Sequence, residues 1–322
     1  MPIISVENLV KRFNGITAVD SISFEVQEGT IFGFLGPNGA GKTTTIKILN
    51  RLAFPDRGDV TVFGEEAGRR SESRRRIGFM PEQPYFYEYL TAGEFLGLCG
   101  HLNGMGRTEI SVRTRLMLAR VGLDGAARTA IRKFSKGMMQ RLGLAQALLH
   151  DPELVILDEP MSGLDPMGRM EVRNLIREMK ASGKTVFFSS HIISDVETLC
   201  DRVIMLDKGV KVAEGAVDDL VGQEGIQYVE IQFSPVPPAE WVGKAGIPKE
   251  AVTVQGGALI LRAADSEEAN RWIERFREAG SHVRSCIPVK RRLEDIYVEQ
   301  VGGRNFREAG MPVRAEEGAR DG

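Results

Sequence analysis

The fold is decided by residues 30–50, which read TIFGFLGPNGAGKTTTIKILN. The apolar run Ile31–Leu35 is typical of a short buried strand, and apolar residues at helical spacing follow the glycines. The motif G-x-x-x-x-G-K-T at Gly36–Thr43 therefore lies between a predicted strand and a predicted helix, which is the setting of a phosphate-binding loop. A glycine-rich turn with a chance lysine is the alternative, but these flanks favour a loop that binds a nucleoside triphosphate.

The chemistry of this loop follows from its residue types. Glycines let consecutive backbone N–H groups face one anion, and the positive end of the following helix dipole adds to the attraction. We expect Lys42 to reach the β- and γ-phosphates of the nucleotide and the Thr43 hydroxyl to hold Mg²⁺. The predicted nucleotide-binding residues of the loop are Gly36, Pro37, Asn38, Gly39, Ala40, Gly41, Lys42, Thr43 and Thr44.

Length and charge limit the architecture and the class of partner. With 322 residues, the chain can form one large domain and a smaller one. Its 42 Lys and Arg residues nearly balance 44 Asp and Glu residues, so composition gives no reason to expect a nucleic-acid partner.

The cysteines and the apolar runs indicate the compartment. Cys99, Cys200 and Cys286 are far apart in the sequence and form no C-x-x-C pair, so neither a disulfide framework nor a zinc site is expected. We expect no signal peptide, because the first residues contain no basic region leading into an apolar core, and no run approaches the ~18 apolar residues that span a bilayer. The sequence predicts a soluble protein in a reducing cytosol.

Antiparallel strands are expected over residues 3–35, where apolar and polar residues alternate. Phe13 is an aromatic residue in the polar segment between two of these strands. It is either a core residue that closes a hairpin or a platform on which the adenine base stacks.

The segment after the first helix contains a basic cluster and an aromatic patch. Arg69–Arg70 and Arg74–Arg76 are interpreted as a solvated helix face. The strand-like run Ile77–Met80 leads into a loop that contains Gln83 between two prolines. The dense group Tyr85–Tyr89 is either packed under the next helix or exposed as a docking surface.

Two helical segments are predicted next. The first extends from Thr91 to about Leu123, and the second follows Phe134–Arg141 with apolar residues on one face. Ser135 is a plausible N-cap for the second helix, and its hydroxyl together with the Gly137 amide could bind an anion. That pattern alone is weak, because most capped helices bind nothing.

Two carboxylates follow the strongly apolar run Leu154–Leu157. A strand buried on both faces would place Asp158 and Glu159 at its C-terminal end, where open α/β sheets bind ligands. There Asp158 can hold Mg²⁺ and Glu159 can polarise the attacking water, although paired acids at a strand end are otherwise often surface caps. Asp165 is expected to cap the next helix, which Pro166 opens.

His191 comes just past another apolar strand, Val186–Ser190. A single histidine is often structural, but one at this end of the sheet is placed to contact the γ-phosphate. Residues 203–213 are expected to form a hairpin about the turn Asp207–Gly209.

Together these segments resemble, in their order, the full motif set of ABC ATPases over about residues 3–220. The set comprises the Walker A loop Gly36–Thr43, Gln83 of the Q-loop, the signature loop Phe134–Met138, the Walker B strand Leu154–Glu159, the D-loop Ser162–Asp165 and His191 of the H-loop. The Pro81-Glu82 start, residues 85–90 and Lys136 are similar to the ATP-binding subunits of multidrug and antibiotic exporters. The signature departs from the family pattern LSGGQ, since Lys136 replaces its first glycine and Met138 its glutamine.

This resemblance implies an ATPase with Mg²⁺ and a homodimer, or a pair with a related subunit, in which each ATP lies between one Walker A loop and the partner's signature loop. It implies that Ser135, Gly137 and Asp165 serve a shared nucleotide and that Gln83 senses the metal and the water. Phe13 would stand at the adenine-stacking position. A membrane permease would dock near Tyr85, Phe86 and Tyr87, at the cytoplasmic face of the membrane.

The expected architecture is α/β, a P-loop NTPase of ABC type over residues 1–221. It has an antiparallel β subdomain and a helical subdomain over about 84–150. A small α/β domain follows over 222–302, expected to support dimerisation or regulation, and 303–322 are a predicted disordered tail. The predicted function is to power an exporter of a drug-like or antibiotic-like compound. The alternatives are a soluble ABC-type ATPase acting on nucleic acid or ribosomes, and a nucleotide kinase.

Overall fold

The computed structural model describes residues 2–66, 71–222, 226–248, 251–290 and 292–308. The chain divides into two compact units, one formed by residues up to 217 together with those from 297, and one formed by residues 218–296. The α/β class expected from the sequence is confirmed. Arg69 and Arg70 lie outside the described residues, as does the part of the predicted tail beyond 308.

The first unit combines two sheets with helices. Its strands are β1 (Pro2–Phe13), β2 (Ile16–Gln27), β3 (Ile31–Leu35), β4 (Arg57–Val62), β5 (Glu65–Glu66), β6 (Ile77–Met80), β7 (Leu154–Leu157), β8 (Thr185–Ser190), β9 (Arg202–Asp207) and β10 (Val210–Ala216). Its helices are α1 (Lys42–Leu49), α2 (Ser71–Arg75), α3 (Ala92–Leu102), α4 (Arg107–Arg120), α5 (Lys136–Leu148), α6 (Pro166–Ala181) and α7 (Ile193–Leu199). A short helix, α8 (Val217–Val221), follows β10.

A six-stranded sheet in the order β10-β9-β3-β8-β7-β6 forms the centre of this unit. Strand β3 pairs in parallel with β8 and β9, and β7 pairs in parallel with β6 and β8. The prediction of antiparallel strands throughout residues 3–35 is therefore wrong for β3. Its five residues are all buried, as are those of β7 and β8, because parallel strands of such a sheet are covered on both faces.

The second sheet, in the order β2-β1-β4-β5, is antiparallel as predicted. Its apolar face joins the central sheet in one core. Phe24 of β2 lies 5.7 Å from Phe32 and 5.4 Å from Phe34, measured between ring centroids, and Phe187 of β8 lies 5.2 Å from Phe34. This core fixes the strand β3 that leads into the phosphate-binding loop.

The helical part of the unit differs from its prediction at one place. The helical stretch expected from Thr91 to Leu123 is broken into α3 and α4, because Gly104 has a left-handed backbone (φ 77°) that ends the first helix. Thr91 and Glu94 form a capping box at the start of α3.

The second unit contains a four-stranded antiparallel sheet in the order β12-β13-β11-β14. Its elements are β11 (Ile226–Ser234), α9 (Ala239–Lys244), β12 (Val252–Gln255), β13 (Ala258–Ala263), α10 (Ser266–Glu278) and β14 (His282–Lys290). Phe276 of α10 stacks on Phe233 with ring centroids 4.1 Å apart, so the helix covers the sheet. The last helix, α11 (Leu293–Glu308), extends through residues 303–308, where a disordered tail was predicted. Within the described part of the chain, no helix combines the length and the apolar character needed to cross a membrane.

Candidate functional site

The strand order brings the predicted chemical groups to one edge of the central sheet. Strand β8 lies between β3 and β7, and all three are parallel. Their carboxyl ends therefore meet, and these ends carry the phosphate-binding loop after β3, Asp158 and Glu159 after β7, and His191 after β8.

The phosphate-binding loop needs its glycines. Gly41 is the N-cap of α1 with φ 97°, and a Cβ atom there would lie 2.6 Å from the Ala18 carbonyl oxygen. A Cβ atom on Gly36 would meet the Leu206 carbonyl oxygen at the same distance. The crest of the loop, residues 37–39, is exposed, whereas Ala40 and Gly41 are buried. The loop is thus anchored at its base and open where a phosphate would approach.

Lys42 turns back into its own loop. Its side chain is buried, and Nζ donates hydrogen bonds to the carbonyl oxygens of Gly36 (2.7 Å) and Pro37 (3.1 Å). The same ammonium lies 3.2 Å from Glu159 Oε1. The predicted phosphate-binding cation and the predicted water-activating carboxylate are therefore in direct contact.

Glu159 lies between two basic side chains. Its Oε2 is 2.8 Å from His191 Nδ1, while Oε1 makes the ion pair with Lys42 and has no hydrogen bond. Only 6% of the residue is exposed, and its backbone is left-handed with φ 51°. That conformation costs a residue with a Cβ atom about 1–2 kcal/mol, so the surroundings must hold it in place.

Asp158 is deeply buried in the cluster, with 2% of its surface exposed. Its Oδ1 accepts a hydrogen bond of 2.6 Å from Ser189 Oγ, and the Thr43 hydroxyl also bonds to the carboxylate. Burial raises the pKa of Asp158 above its ordinary value, although the hydrogen bonds from Ser189 and Thr43 oppose the shift. A buried carboxylate beside a hydroxyl is a donor set that suits Mg²⁺.

Two residues of the cluster carried no functional prediction. Ser189 is fully buried, and its Oγ accepts a hydrogen bond of 2.9 Å from the backbone N–H of Glu159. Gln140 of α5 is also buried, and its Nε2 donates to the carbonyl oxygens of Glu159 (3.3 Å) and Pro160 (3.0 Å). In the sequence, Ser189 could have been noticed as a polar residue inside an apolar strand, and Gln140 as a polar residue beside the apolar face of a helix.

Other predicted site residues lie outside this hydrogen-bonded cluster, as far as the described residues show. Gln83 is exposed in the loop after β6. Asp165 caps α6 through a bond from the Gly168 N–H, as predicted. Phe13 is 48% exposed at the end of the β1–β2 hairpin, with Lys11 Nζ 5.1 Å from its ring centroid. The hairpin-core interpretation of Phe13 is therefore wrong.

Among the described residues, no side-chain hydrogen bond joins the signature-like loop to the cluster. Ser135 caps α5 as predicted, since its hydroxyl accepts a hydrogen bond of 3.2 Å from the Met138 N–H. Lys136 lies across Gly163, because a Cβ atom on that glycine would collide with the Lys136 side chain. The lysine that departs from the family pattern thus contacts the segment that follows Glu159.

The aromatic patch is exposed rather than packed. Tyr85, Tyr87 and Tyr89 expose 92%, 54% and 74% of their surfaces, so the packed interpretation is wrong for these tyrosines. Only Phe86 is packed, edge-on against Phe95 of α3 at 5.0 Å between ring centroids.

Comparison with known proteins identifies relatives of the whole chain. A sequence profile described as ABC transporter matches residues 19–162. An uncharacterized ABC transporter ATP-binding protein of Synechocystis sp. is 46% identical over 217 residues, which are 66% of this chain and 61% of that protein. A bacitracin transport ATP-binding protein of Bacillus licheniformis is 37% identical over 303 residues, which are 94% of this chain and 98% of that protein.

A solved structure shares the fold of the first unit. It is an ATP-binding cassette in a dimeric, post-hydrolysis state with ADP and Pi, and it is 26% identical with a TM-score of 0.61. The match covers 66% of this chain and 98% of that one. The chain thus spans about three fifths of the cyanobacterial relative and nearly the full length of the bacitracin one.

Proposed function

This chain belongs to the ABC transporter family of ATP-binding proteins, and we propose that it hydrolyses ATP to power a separate membrane permease. The single observation that carries the proposal is the chain of contacts from Lys42 through Glu159 to His191, at the edge where the phosphate-binding loop opens. A nucleoside triphosphate held by that loop would place its terminal phosphate beside a carboxylate and two basic groups.

In the proposed reaction, Lys42 exchanges its carbonyl partners for the β- and γ-phosphates, which separates it from Glu159. The freed carboxylate then polarises a water molecule for in-line attack on the γ-phosphorus. His191, oriented by its bond to Glu159, contacts the γ-phosphate. Thr43 and Asp158, with Gln83, would hold Mg²⁺, which supplies positive charge against the triphosphate when it is bound.

We further infer that the nucleotide is shared between two copies. Ser135, Gly137 and Asp165 are exposed or half-buried, and among the described residues no side-chain hydrogen bond joins them to the cluster around Glu159. This placement supports a role toward a partner's nucleotide, and the related cassette with ADP and Pi is a dimer. Phe13, exposed directly before the turn at residues 14–15, would stack on the adenine.

The membrane partner is proposed to dock on the exposed aromatic residues Tyr85 and Tyr87 with Phe86 beside them. Aromatic side chains that are exposed together supply much of the energy of protein interfaces. Docking there would place the chain at the cytoplasmic face of the membrane. Export of a drug-like or antibiotic-like compound is proposed because the relative that matches 94% of this chain is a bacitracin transport ATP-binding protein.

Two variants test this function. Lys42→Ala should abolish ATP binding in a calorimetric titration, and wild-type affinity would refute the site. Glu159→Gln should bind ATP while turnover falls by ~10²-fold or more, since that is the usual effect of removing a general base. This variant should also elute as a dimer in size-exclusion chromatography with Mg-ATP and as a monomer without nucleotide. A nucleotide kinase would show no such change.

A further inference from the structure

We propose that Ser189 and Gln140 are positioning residues that hold the backbone of Glu159 in the conformation from which its carboxylate acts. The inference rests on the proposed function, in which Glu159 polarises water. Neither residue is placed to touch the nucleotide, and both act through the peptide groups on either side of Glu159.

The backbone of Glu159 needs to be held because its conformation is unfavourable. Its φ of 51° lies in the left-handed region, which residues with a Cβ atom rarely adopt. Pro160 follows, and a residue before proline is steered toward extended backbone. Relaxation to the extended region would turn the side chain of Glu159 away from Lys42 and His191. The ion pair of 3.2 Å and the contact of 2.8 Å would both be lost.

Ser189 fixes the amino side of Glu159. The parallel pairing of β7 with β8 ends at Leu157 and Phe188, so the Glu159 N–H lies beyond the regular ladder. The Ser189 hydroxyl accepts that N–H at 2.9 Å and donates its own proton to Asp158 at 2.6 Å. This fully buried hydroxyl therefore continues the hydrogen bonding between β7 and β8 beyond their last paired residues. It joins both Asp158 and Glu159 to β8.

Gln140 fixes the carboxyl side. Its buried amide donates one bond to the Glu159 carbonyl oxygen and one to that of Pro160, at 3.3 Å and 3.0 Å. Gln140 belongs to α5, the helix that begins after Ser135, whereas Ser189 belongs to the central sheet. Two different elements thus hold the two peptide groups of one residue, as a strained backbone requires.

The test compares Ser189→Ala and Gln140→Leu with the wild-type chain in steady-state ATPase assays. Ser189→Ala leaves the Glu159 N–H without its partner, and Gln140→Leu removes the bonds to the Glu159 and Pro160 carbonyl oxygens, of which the first still accepts from the Ser162 N–H at 3.0 Å. The loss of such bonds commonly changes an equilibrium by about tenfold. We expect kcat to fall about tenfold or more while KM for ATP changes less than about twofold, because the nucleotide contacts are intact. Ser189→Thr keeps the hydroxyl and should retain most of the wild-type kcat.

Thr185→Val is the matched control. Thr185 is fully buried at the other end of β8, and its hydroxyl accepts a hydrogen bond of 2.9 Å from the Gly29 N–H. Removing it should lower the unfolding temperature about as much as Ser189→Ala does, but kcat should stay near that of the wild type. Equal losses of kcat in the two variants would overturn the proposal.

A second arm uses the Glu159→Gln background in single-turnover assays and in titrations of ATP with Mg²⁺. If Ser189 and Gln140 act through the Glu159 carboxylate, adding either substitution there should lower the remaining rate less than about twofold. A further tenfold loss would contradict the inference. A higher Mg²⁺ requirement with unchanged kcat would also contradict it, because Ser189 would then act by orienting Asp158 toward the metal. Wild-type turnover by Glu159→Gln itself would instead refute the proposed function.

Discussion

Lys42 Nζ lies 3.2 Å from Glu159 Oε1, so the lysine of the phosphate-binding loop and the carboxylate after β7 form a buried ion pair. Without nucleotide, each group neutralises the other. Binding of a triphosphate would attract Lys42 toward the phosphates and release the carboxylate, so the same contact can couple occupancy of the loop to activation of Glu159.

The two partners of this pair should differ in how much their loss destabilises the chain. In Lys42→Met, Glu159 keeps only its contact with His191, and Oε1 is left buried without a partner, so unfolding should become easier by about 3 kcal/mol. In Glu159→Gln, Lys42 keeps two carbonyl acceptors, and the loss should be about 1 kcal/mol. Urea unfolding at neutral pH without nucleotide measures both values.

The double variant is the control for that comparison. Lys42→Met with Glu159→Gln leaves no unpaired buried charge, so it should recover most of the stability that Lys42→Met alone loses. Equal destabilisation by the two single variants would show that the ion pair is not what holds these side chains.

Phe13 should contribute about equally to the affinity for nucleotides that carry different bases. Stacking of a base on an aromatic ring is worth about 1–3 kcal/mol, so Phe13→Ala should raise the dissociation constants of ATP and GTP by about tenfold or more. Phe13→Trp should keep wild-type affinity. Fluorescence titration with both nucleotides gives these constants.

Phe54→Ala supplies the comparison for Phe13. Phe54 is 62% exposed and has Arg51 5.6 Å from its ring centroid, an environment similar to that of Phe13 beside Lys11. Its removal should leave nucleotide affinity unchanged. Loss of affinity in both variants would indicate a general effect of exposed aromatic residues rather than base stacking.

Much of the fold follows from the sequence because its signals are local. The apolar runs, the glycines of the loop and the caps Ser135 and Asp165 each depend on neighbours within a few residues. The contacts of Glu159 do not, because β8 is inserted between β3 and β7 although it follows both in the chain. Only that order brings Ser189 to Asp158, and only the position of α5 brings Gln140 to Glu159.

The exposed tyrosines illustrate the same limit. Tyr85, Tyr87 and Tyr89 have an apolar ring and a polar hydroxyl, so their composition is compatible with both a packed and an exposed position. Whether a residue of this group is packed or exposed depends on the room beside α3. There Phe86 packs against Phe95, and the three tyrosines do not. Sequence pattern gives no access to that space.

Asp158 should show a trade between stability and function. Burial raises its pKa in the folded chain above that of the unfolded chain, so the ionised carboxylate costs stability at neutral pH. Asp158→Asn should therefore make the chain more stable without nucleotide and abolish binding of Mg-ATP. As the pH falls through the folded pKa toward the unfolded value, the wild type becomes protonated and the difference in stability should shrink.

Thermal unfolding of both chains over a pH series, combined with ATP titration in the presence of Mg²⁺, checks this prediction. The nearby groups that could alter the result are Glu159, which raises the pKa of Asp158, and Lys42, which lowers it. A stability difference that grows as the pH falls would contradict the expected sign.

His191 should act on the phosphate rather than only on Glu159. Its Nδ1 lies 2.8 Å from Glu159 Oε2, and 42% of the side chain is exposed, which leaves Nε2 accessible to a nucleotide. His191→Ala should lower kcat by ~10²-fold, a usual effect of removing one group that stabilises developing charge. His191→Asn can still donate to Glu159 from its amide but does not reach the position of Nε2. Its kcat should therefore exceed that of His191→Ala by less than about tenfold. Single-turnover hydrolysis measures these rates, with His101→Ala, an exposed histidine bonded to the Gly97 carbonyl oxygen, as the unaffected control. If His191→Asn had the wild-type rate, the role of the histidine would be to orient Glu159, and another residue would have to contact the γ-phosphate.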